Sequence, residues 1–410
     1  MGCKVFKVAV FFDGTGNSIA DGVSKSNVAK LYESYREVTD EEIEGKKTTT
    51  RKIYKIGIGR GEGEGSRELA AGGGGAKRIN EALKEVKALI KAHPYGDSEY
   101  DYKSREIEVF GFSRGAAEAR DFVNTFYGEY TELKHIKFTF IGIFDTVGSF
   151  GLAGNDIDYK PKDPKKHSES GNFELSEGGF SDNVNNDFEP YNFNLSSSSA
   201  KTIIHLTAAD ELRHNFPLYS ADGAANEMSL IGVHSDIGGG YGTKDRETLS
   251  MEVPLRELNK RYELQSKGWE YQPKRYDRIT GVFEKKRVVG NDLGKVSLHL
   301  MYQLAVKYKV TLNTPSESVP NTMKAYFEYA KTHLSNASNY SDAENIKETY
   351  AHQSATHPLT NTLSYPLRQR ENSAELVGSN IVNIKRYKNR RGKVERAIFP
   401  NKASRAIVPI

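Results

Sequence analysis

The feature that most constrains this chain is a serine held between two glycines where a predicted strand turns into a predicted helix. The run Gly111-Phe112-Ser113-Arg114-Gly115 follows the apolar segment 106–110 and leads directly into the small-residue segment 116–126. Glycine is needed on both sides of the serine because a side chain there would collide with the converging strand and helix. The pattern predicts a nucleophile elbow. The Ser113 hydroxyl would stand clear of the backbone, and the Arg114 amide, at a helix N-terminus, would face a developing oxyanion.

A serine hydroxyl is a weak nucleophile until a base removes its proton, and that base needs a carboxylate to fix its tautomer. Asp145 directly follows the apolar strand predicted at 137–144, and His234 follows the strand predicted at 228–233. The carboxyl ends of parallel strands open on the same edge of a sheet, so the fold would bring Ser113, Asp145 and His234 together. We therefore predict a catalytic triad in the chain order Ser, Asp, His, which is the order of α/β-hydrolases.

Other residues remain open for the acid and base roles. Asp236 lies two positions beyond the predicted base, and Asp210 follows the strand predicted at 202–206, so either is an alternative acid. His214, in a polar loop, is an alternative base. Two further histidines, one inside a predicted strand and one on a helix face, are more typical of packed side chains: His205 and His299.

A second oxyanion donor is expected from the loop that follows the first strand, 5–12. Gly14 would let the backbone approach the reacting centre closely, so its amide or that of Asp13 is predicted to face Ser113. In the alternative interpretation, Asp13 and Asn17 only cap and stabilise this loop.

The order of apolar and helical segments predicts an α/β fold of the α/β-hydrolase-like type, a three-layer sandwich around a mostly parallel central sheet. Strand-length runs at 5–12, 52–56, 106–110, 137–144, 202–206 and 228–233 alternate with helical patterns such as 77–92 and 298–310. We predict a catalytic core at 1–250. Residues 149–200, polar with scattered aromatics, are interpreted as an inserted loop or cap, and residues 251–410 as a C-terminal extension that completes or covers the core.

Composition excludes several classes of protein. The 410 residues are 37% hydrophobic and contain no apolar run of the ~18 residues that a membrane span needs. The first residues do not form a Sec signal, and the single cysteine suits a reducing cytoplasm. The net charge of +4 conceals a basic tail at 385–405, which has nine basic residues and one acidic residue. Such a tail suits anionic lipid, nucleic acid, an acidic partner or a solvated strand edge.

Six blocks, in order along residues 5 to about 245, resemble one known family. They are Phe11-Phe12-Asp13-Gly14-Thr15-Gly16-Asn17, Tyr54-x-x-Gly57-x-Gly59, Gly111-Phe112-Ser113-Arg114-Gly115-Ala116, Phe144-Asp145-Thr146-Val147-Gly148-Ser149, Asp210-Glu211-x-Arg213 and Gly232-Val233-His234-Ser235-Asp236-Ile237-Gly238-Gly239-Gly240-Tyr241. Together they are similar to the α/β-hydrolases that include the type VI secretion lipase effectors of the first class.

The resemblance implies a bacterial phospholipase of A1 or A2 type that acts on membrane phospholipid. It implies a protein made in the cytoplasm and delivered to a rival cell's periplasm by a contractile secretion machine. It also implies a spike carrier protein and an immunity protein as partners, and no nucleic acid. The family's nucleophile, acid and base fall on Ser113, Asp145 and His234.

Alternative functions are a cytoplasmic carboxylesterase or thioesterase, or a catalytically silent binding module with the same fold. A nucleotide site is disfavoured, because the glycine-rich stretches 57–65 and 72–75 lack the Gly-Lys-Ser/Thr ending of a phosphate-binding loop. We expect no cofactor and no catalytic metal, since neither His-Glu-x-x-His nor an EF-hand spacing occurs. A calcium ion held by loop carboxylates such as Asp156 and Asp158 stays open.

Overall fold

The structure is a computed structural model that covers most of the predicted catalytic core and part of the C-terminal extension. It describes residues 4–61, 74–98, 100–130, 133, 135–148, 191–211, 213, 216–254, 261–266, 268, 270–272, 280–333, 335–352, 396, 398–399 and 401.

A twisted sheet of seven strands lies at the centre of the described part of the chain, in the order β2-β3-β1-β4-β5-β6-β8. The strands are β1 (Lys4–Phe12), β2 (Glu41–Ile43), β3 (Lys46–Lys55), β4 (Ser104–Phe112), β5 (Ile136–Phe144), β6 (Ile203–Ala208), β7 (Leu218–Tyr219), β8 (Asn226–Leu230), β9 (Asp245–Pro254), β10 (Glu270–Gln272), β11 (Thr280–Val289) and β12 (Ile398–Phe399). The strands β10-β11-β9 form a second, antiparallel sheet, and β12 pairs with β7.

The central sheet is parallel except for the edge strand β2. Its register aligns the carboxyl ends of the middle strands, because Phe12 pairs with Gly111 and Phe144 pairs with both Phe112 and Leu206. The residues that follow these strands therefore meet at one edge, as the general rule for parallel sheets requires.

Helices cover both faces of the sheet. The α-helices are α1 (Asn27–Ser34), α2 (Gly75–Ala92), α3 (Arg114–Glu129), α4 (His234–Gly238), α5 (Arg261–Ser266), α6 (Asp292–Lys307), α7 (Lys324–Thr332) and α8 (Ala343–Tyr350). Alternate residues of β1 enter different cores, because successive side chains of a strand point to opposite faces. Phe6, Val8 and Val10 pack with α2 and α3, whereas Ala9 and Phe11 pack with α1 and α6. The predicted three-layer α/β architecture is confirmed.

Some predicted elements differ in extent. The second strand, predicted at 52–56, is β3 and begins at Lys46, because its first half is a run of buried threonines that carries little apolar signal. The strand predicted at 228–233 ends at Leu230, so His234 begins the short helix α4 instead of following a strand. The antiparallel sheet of β9, β10 and β11 was not predicted at all.

The predicted insertion 149–200 is only partly described, since 149–190 lie outside the described residues. Its last ten residues pack against α3. The buried guanidinium of Arg120 donates to the carbonyl oxygens of Phe193, Tyr219 and Ser220, and Asn124 donates to two carbonyl oxygens of the same segment. Helix α6, from the predicted C-terminal extension, shares a core with the central sheet. The proposed division at residue 250 remains a prediction.

Candidate active site

The predicted elbow forms at the junction of β4 and α3. Ser113 has φ 58° and ψ −127°, a left-handed conformation that a serine adopts only when its surroundings enforce it. A Cβ at Gly111 would lie 2.6 Å from the Gly115 carbonyl oxygen, and one at Gly115 would lie 2.4 Å from the Asp13 carbonyl oxygen. Both contacts are too short for a carbon atom, so the two glycines are required for steric reasons.

The structure brings the three residues of the predicted triad into one hydrogen-bonded chain. His234 Nε2 lies 2.8 Å from Ser113 Oγ, and His234 Nδ1 lies 2.5 Å from Asp145 Oδ2. In this geometry the serine hydroxyl donates to Nε2, and the Nδ1–H group donates to the carboxylate. All three residues are buried.

The Asp145 carboxylate has two further donors. Its Oδ1 accepts from the Ala208 amide at 2.9 Å, and the Arg396 guanidinium contacts both carboxylate oxygens. Burial by itself would raise the pKa of Asp145, but Arg396 and His234 hold that pKa well below its usual range. Asp145 is therefore ionised at neutral pH and able to orient the imidazole.

The imidazole of His234 lies in a largely aromatic environment. The ring centroids of Phe112 and Phe216 lie 4.6 and 4.8 Å from its own centroid. Burial lowers the pKa of His234, Asp145 opposes this shift, and Arg213 adds to it. A neutral imidazole is the form that can accept a proton from a serine. The backbone N–H of His234 donates to Glu211 Oε2 at 3.2 Å, which fixes the start of α4.

The alternative acids have other partners. Asp236 accepts from the Val233 amide and lies 2.7 Å from His352 Nδ1. Asp210 accepts from the Gly232 amide at 2.8 Å and forms an ion pair with Lys347. Within the described residues, Asp145 is the acid whose side chain meets the imidazole that contacts Ser113.

Two of the other histidines, His205 and His299, are packed side chains, as the sequence pattern predicts. His205 is fully buried, with Nδ1 2.8 Å from Glu227 Oε2 and Nε2 3.2 Å from the Thr146 amide. His299 Nε2 contacts the Glu317 carbonyl oxygen. Both are hydrogen-bonded packed residues, and His214 lies outside the described residues.

The amides of Asp13 and Gly14, which the sequence predicts as oxyanion donors, both have acceptors of their own in this structure, and their role stays a prediction. The Asp13 amide donates to the Lys55 carbonyl oxygen at 2.9 Å and so extends the β1–β3 ladder, while the Gly14 amide donates to Asp13 Oδ1 at 2.7 Å. Tyr54 contacts the same carboxylate, and burial, as the largest influence, raises the pKa of Asp13 to about 6. The loop does lie against the elbow, because a Cβ at Gly115 would lie 2.4 Å from the Asp13 carbonyl oxygen.

Three functional candidates were not found from the sequence. The Thr15 hydroxyl is buried and has no partner among the described residues, and Glu211 holds the backbone of His234. Arg396 contacts Asp145, although its basic tail was interpreted as a lipid-binding or solvated segment. The Asp210-Glu211-x-Arg213 block was a usable signal for Glu211, whereas no local pattern marks Arg396.

No group of three or more His, Cys, Asp or Glu residues suited to a metal occurs among the residues that the structure describes. Asp156 and Asp158 lie outside them. None of the helices in the described ranges is both long enough and apolar enough to cross a membrane.

The fold defines an α/β-hydrolase-like protein, and at the edge of its sheet the side chains of a serine, a histidine and an aspartate are linked by hydrogen bonds. The family model described as T6SS, Phospholipase effector Tle1-like, catalytic domain, matches residues 7–130 and 122–260, together more than half of the chain. The chain belongs to this family. It is an antibacterial phospholipase effector of the type VI secretion system, a class delivered to target cells, as the sequence resemblance implied.

One solved structure that covers nearly the whole chain agrees with the fold. The structure of the Tle1 effector bound to the VgrG spike from the Type 6 secretion system has a TM-score of 0.59 and 20% sequence identity, covering 97% of this chain and 94% of that chain. The crystal structure of an uncharacterized protein from Pseudomonas aeruginosa has a TM-score of 0.45 and 21% identity, covering 81% of this chain and 50% of that chain. A search of curated proteins found no match.

Proposed function

We propose that this effector is a phospholipase of the A type that hydrolyses an acyl ester bond of membrane phospholipid with Ser113, His234 and Asp145 as its catalytic triad. The observation that supports the proposal most is the unbroken hydrogen-bonded chain from Ser113 Oγ through the imidazole to Asp145, at 2.8 and 2.5 Å. The family assignment supplies the phospholipase class, and this chain of contacts supplies the residues.

In the first half of the reaction, Ser113 Oγ attacks the ester carbonyl carbon while His234 Nε2 takes the hydroxyl proton. Asp145 stabilises the resulting imidazolium. When the tetrahedral intermediate collapses, His234 returns the proton to the departing alcohol oxygen of the lysophospholipid. Water then attacks the acyl-serine while His234 takes its proton. When this second intermediate collapses, the bond to Ser113 Oγ breaks, His234 returns the proton to Oγ, and the fatty acid is released.

The oxyanion of the intermediate needs hydrogen-bond donors on the other side of the serine. The first donor that we propose is the amide of Arg114, the first residue of α3, where the helix dipole favours negative charge. The second is the Thr15 hydroxyl, which is buried without a partner among the described residues, in a loop that contacts the elbow.

The Thr15 proposal predicts a loss of turnover when only the hydroxyl is removed. Thr15→Val keeps the shape of the side chain, and we expect it to lower kcat by about 10- to 100-fold, below the largest effects measured for a single oxyanion donor. Thr15→Ser should restore most of the rate in the same assay. Unchanged kcat in a folded Thr15→Val protein would assign the second donor elsewhere.

The nucleophile is tested with the full chain on vesicles of phosphatidylethanolamine and phosphatidylglycerol, with products identified by mass spectrometry. We expect wild-type protein to release fatty acid and lysophospholipid, and Ser113→Ala to lose several orders of magnitude, because triad members act as a unit. Ser98→Ala, at an exposed serine, is the matched control. A fluorophosphonate probe should label wild type and Ser98→Ala but not Ser113→Ala.

Other outcomes distinguish the alternatives. Labelling of Ser113 with turnover of a soluble ester or thioester, but none of vesicles, would favour a carboxylesterase or thioesterase. Absence of labelling in folded wild-type protein would favour a silent binding module. Activity that survives a metal chelator would agree with the proposed absence of a cofactor, and its loss would point to calcium.

Delivery is proposed from the resemblance. The Tle1 effector of the solved complex is bound to a VgrG spike, so a spike carrier protein is the partner that we propose for this chain, together with an immunity protein in the producing cell. The proposed site of action is the periplasm of the target cell, and no nucleic acid partner is proposed. Toxicity on export to the periplasm, but not on cytoplasmic expression, is the expected result.

A further inference from the structure

The acid of the proposed triad is held by a residue from the far end of the chain. Arg396 Nη1 lies 2.7 Å from Asp145 Oδ1, and Arg396 Nη2 lies 2.8 Å from Oδ2, which makes a bidentate pair. The third guanidinium nitrogen, Nε, donates to the Phe216 carbonyl oxygen at 2.6 Å. The Arg396 side chain is only 7% exposed, so this is a largely desolvated pair and not a surface ion pair.

The four contacts of the carboxylate show why Arg396 matters. Each oxygen of Asp145 accepts one bond from Arg396 and one from another group, the Ala208 amide at Oδ1 and His234 Nδ1 at Oδ2. A carboxylate offers about four lone-pair sites, so these donors use its whole capacity and fix its rotation. Without Arg396, a fully buried anion would keep two donors and no cation in contact with it.

The tail segment that carries Arg396 is attached by backbone contacts close to the arginine. Ile398 and Phe399 form β12, which pairs in parallel with Leu218 and Tyr219 of β7. Beyond them, the side-chain amide of Asn401 accepts from the Leu195 amide at 3.0 Å and donates to the Leu195 carbonyl oxygen at 2.9 Å. The contacts of β12 and Asn401, which follow Arg396 in the chain, therefore position its guanidinium.

We propose that Arg396 is a positioning residue of the active site, and that docking of the tail through Arg396, β12 and Asn401 completes the catalytic machinery by fixing the Asp145 carboxylate against His234. The inference rests on the proposed function, since it concerns the same triad. It gives one residue of the basic tail a role in catalysis that does not depend on contact with lipid.

A purely structural role for Arg396 would not change the protonation of His234, but a positioning role beside Asp145 would. The charged groups that face the imidazole are Asp145, Glu211 and Arg213, with Arg396 acting through Asp145. Removing the Arg396 charge leaves the field of Asp145 uncompensated, so the imidazolium is stabilised and the pKa of His234 rises. The acidic limb of the kcat/KM profile should then move to higher pH.

The test compares three variants of the full chain across pH with a soluble ester. Arg396→Gln should lower kcat/KM by about 10- to 100-fold, the cost of a small misplacement of a catalytic group. It should also shift the acidic limb upward by more than one pH unit, because Arg396 and His234 contact the same carboxylate oxygen and unit charges that close interact this strongly at an effective dielectric constant of ~20. Arg396→Lys retains the positive charge but cannot make the bidentate contact. Its acidic limb should therefore stay at the wild-type pH, while kcat/KM falls in part. Lys393→Gln removes one charge from the same tail and is the control, expected to match wild type.

Wild-type rate and limb in a folded Arg396→Gln protein would overturn the inference while leaving the proposed function intact. If Arg396→Gln does not fold, Arg396→Lys makes the test instead, and either a displaced acidic limb or a wild-type rate in that variant would overturn the inference. The pKa of the His234 imidazole, followed by NMR in Ser113→Ala protein with and without Arg396→Lys, gives the same comparison without turnover. Failure of the proposed function would instead appear as wild-type protein that neither hydrolyses esters nor reacts with the fluorophosphonate probe.

Discussion

Two buried aspartate–histidine pairs lie close together in the described part of this molecule, and only in one of them does the imidazole contact a serine hydroxyl. In the first pair, Asp145 Oδ2 is 2.5 Å from His234 Nδ1, and the other imidazole nitrogen reaches Ser113. In the second, Asp236 Oδ1 is 2.7 Å from His352 Nδ1. The two pairs are connected through the start of α4, because Asp236 also accepts from the amide that precedes His234.

In the second pair, the other imidazole nitrogen does not contact a nucleophile among the described residues, and the ring is packed against neighbouring side chains. The ring of His352 stacks on Tyr241 with 3.6 Å between centroids, and its Nε2 lies 3.6 Å from Asp245 Oδ2, beyond hydrogen-bond distance. Its contacts join residue 352 to helix α4 and to the loop that follows it, which is a structural role. A short carboxylate–imidazole contact is therefore common to both pairs, and the strained serine at the end of β4 is what distinguishes them.

The largest expected difference between the pairs is in the effect of removing each carboxylate charge. Asp145→Asn should lower kcat by about 10³- to 10⁴-fold, because an amide cannot hold the imidazole in the required tautomer. Asp236→Asn and Asp210→Asn should stay within about 10-fold of wild type, since neither residue contacts His234 through its side chain. Steady-state turnover on vesicles, with a thermal unfolding curve for each variant, makes the comparison.

The three aspartate variants also test the sequence-based choice among the acids. Full activity in a folded Asp145→Asn protein would transfer the role to another residue and make the two pairs equivalent. A loss in Asp236→Asn as large as that in Asp145→Asn, without a change in stability, would have the same consequence.

The sequence predicted most of the sheet edge, because the signals there are local. A glycine-flanked serine, an aspartate directly after an apolar strand and a histidine near another strand end can each be recognised within ten residues. The parallel topology then brings them together without further information. His234 shows the limit, since it begins a helix and yet reaches the predicted position because α4 starts four residues beyond β8.

The features that were missed depend on contacts between distant parts of the chain. Arg396 meets Asp145 across 251 positions, and its neighbours in the tail are equally basic, so composition could not single it out. Asp13 looked like a backbone donor, but whether its amide faces the serine or continues a ladder depends on the register of β1 against β3. In β9 the apolar alternation covers only Leu249, Met251 and Val253, and β11 is interrupted by the charged run 284–287, so the strand signal of this sheet is weak.

The smallest expected effect on activity comes from removing the imidazole of the second pair. His352→Ala should leave kcat/KM within a few-fold of wild type while costing about 1–3 kcal/mol of unfolding free energy, because a buried carboxylate loses a donor. Urea unfolding and steady-state kinetics measure the two quantities separately.

The pH profile of the same variant shows which histidine governs the reaction. Burial lowers the pKa of His234 from its ordinary value of 6.5, and only the neutral imidazole can deprotonate Ser113. Activity should therefore be fully present above pH 6.5 and disappear as the pH falls through the lowered pKa of His234. This acidic limb should be the same in wild type and His352→Ala, since His352 does not contact the reacting groups. A limb above pH 6.5 would mean that the pKa of His234 is not lowered, and a limb that moves when His352 is removed would mean that the separation between the pairs is wrong.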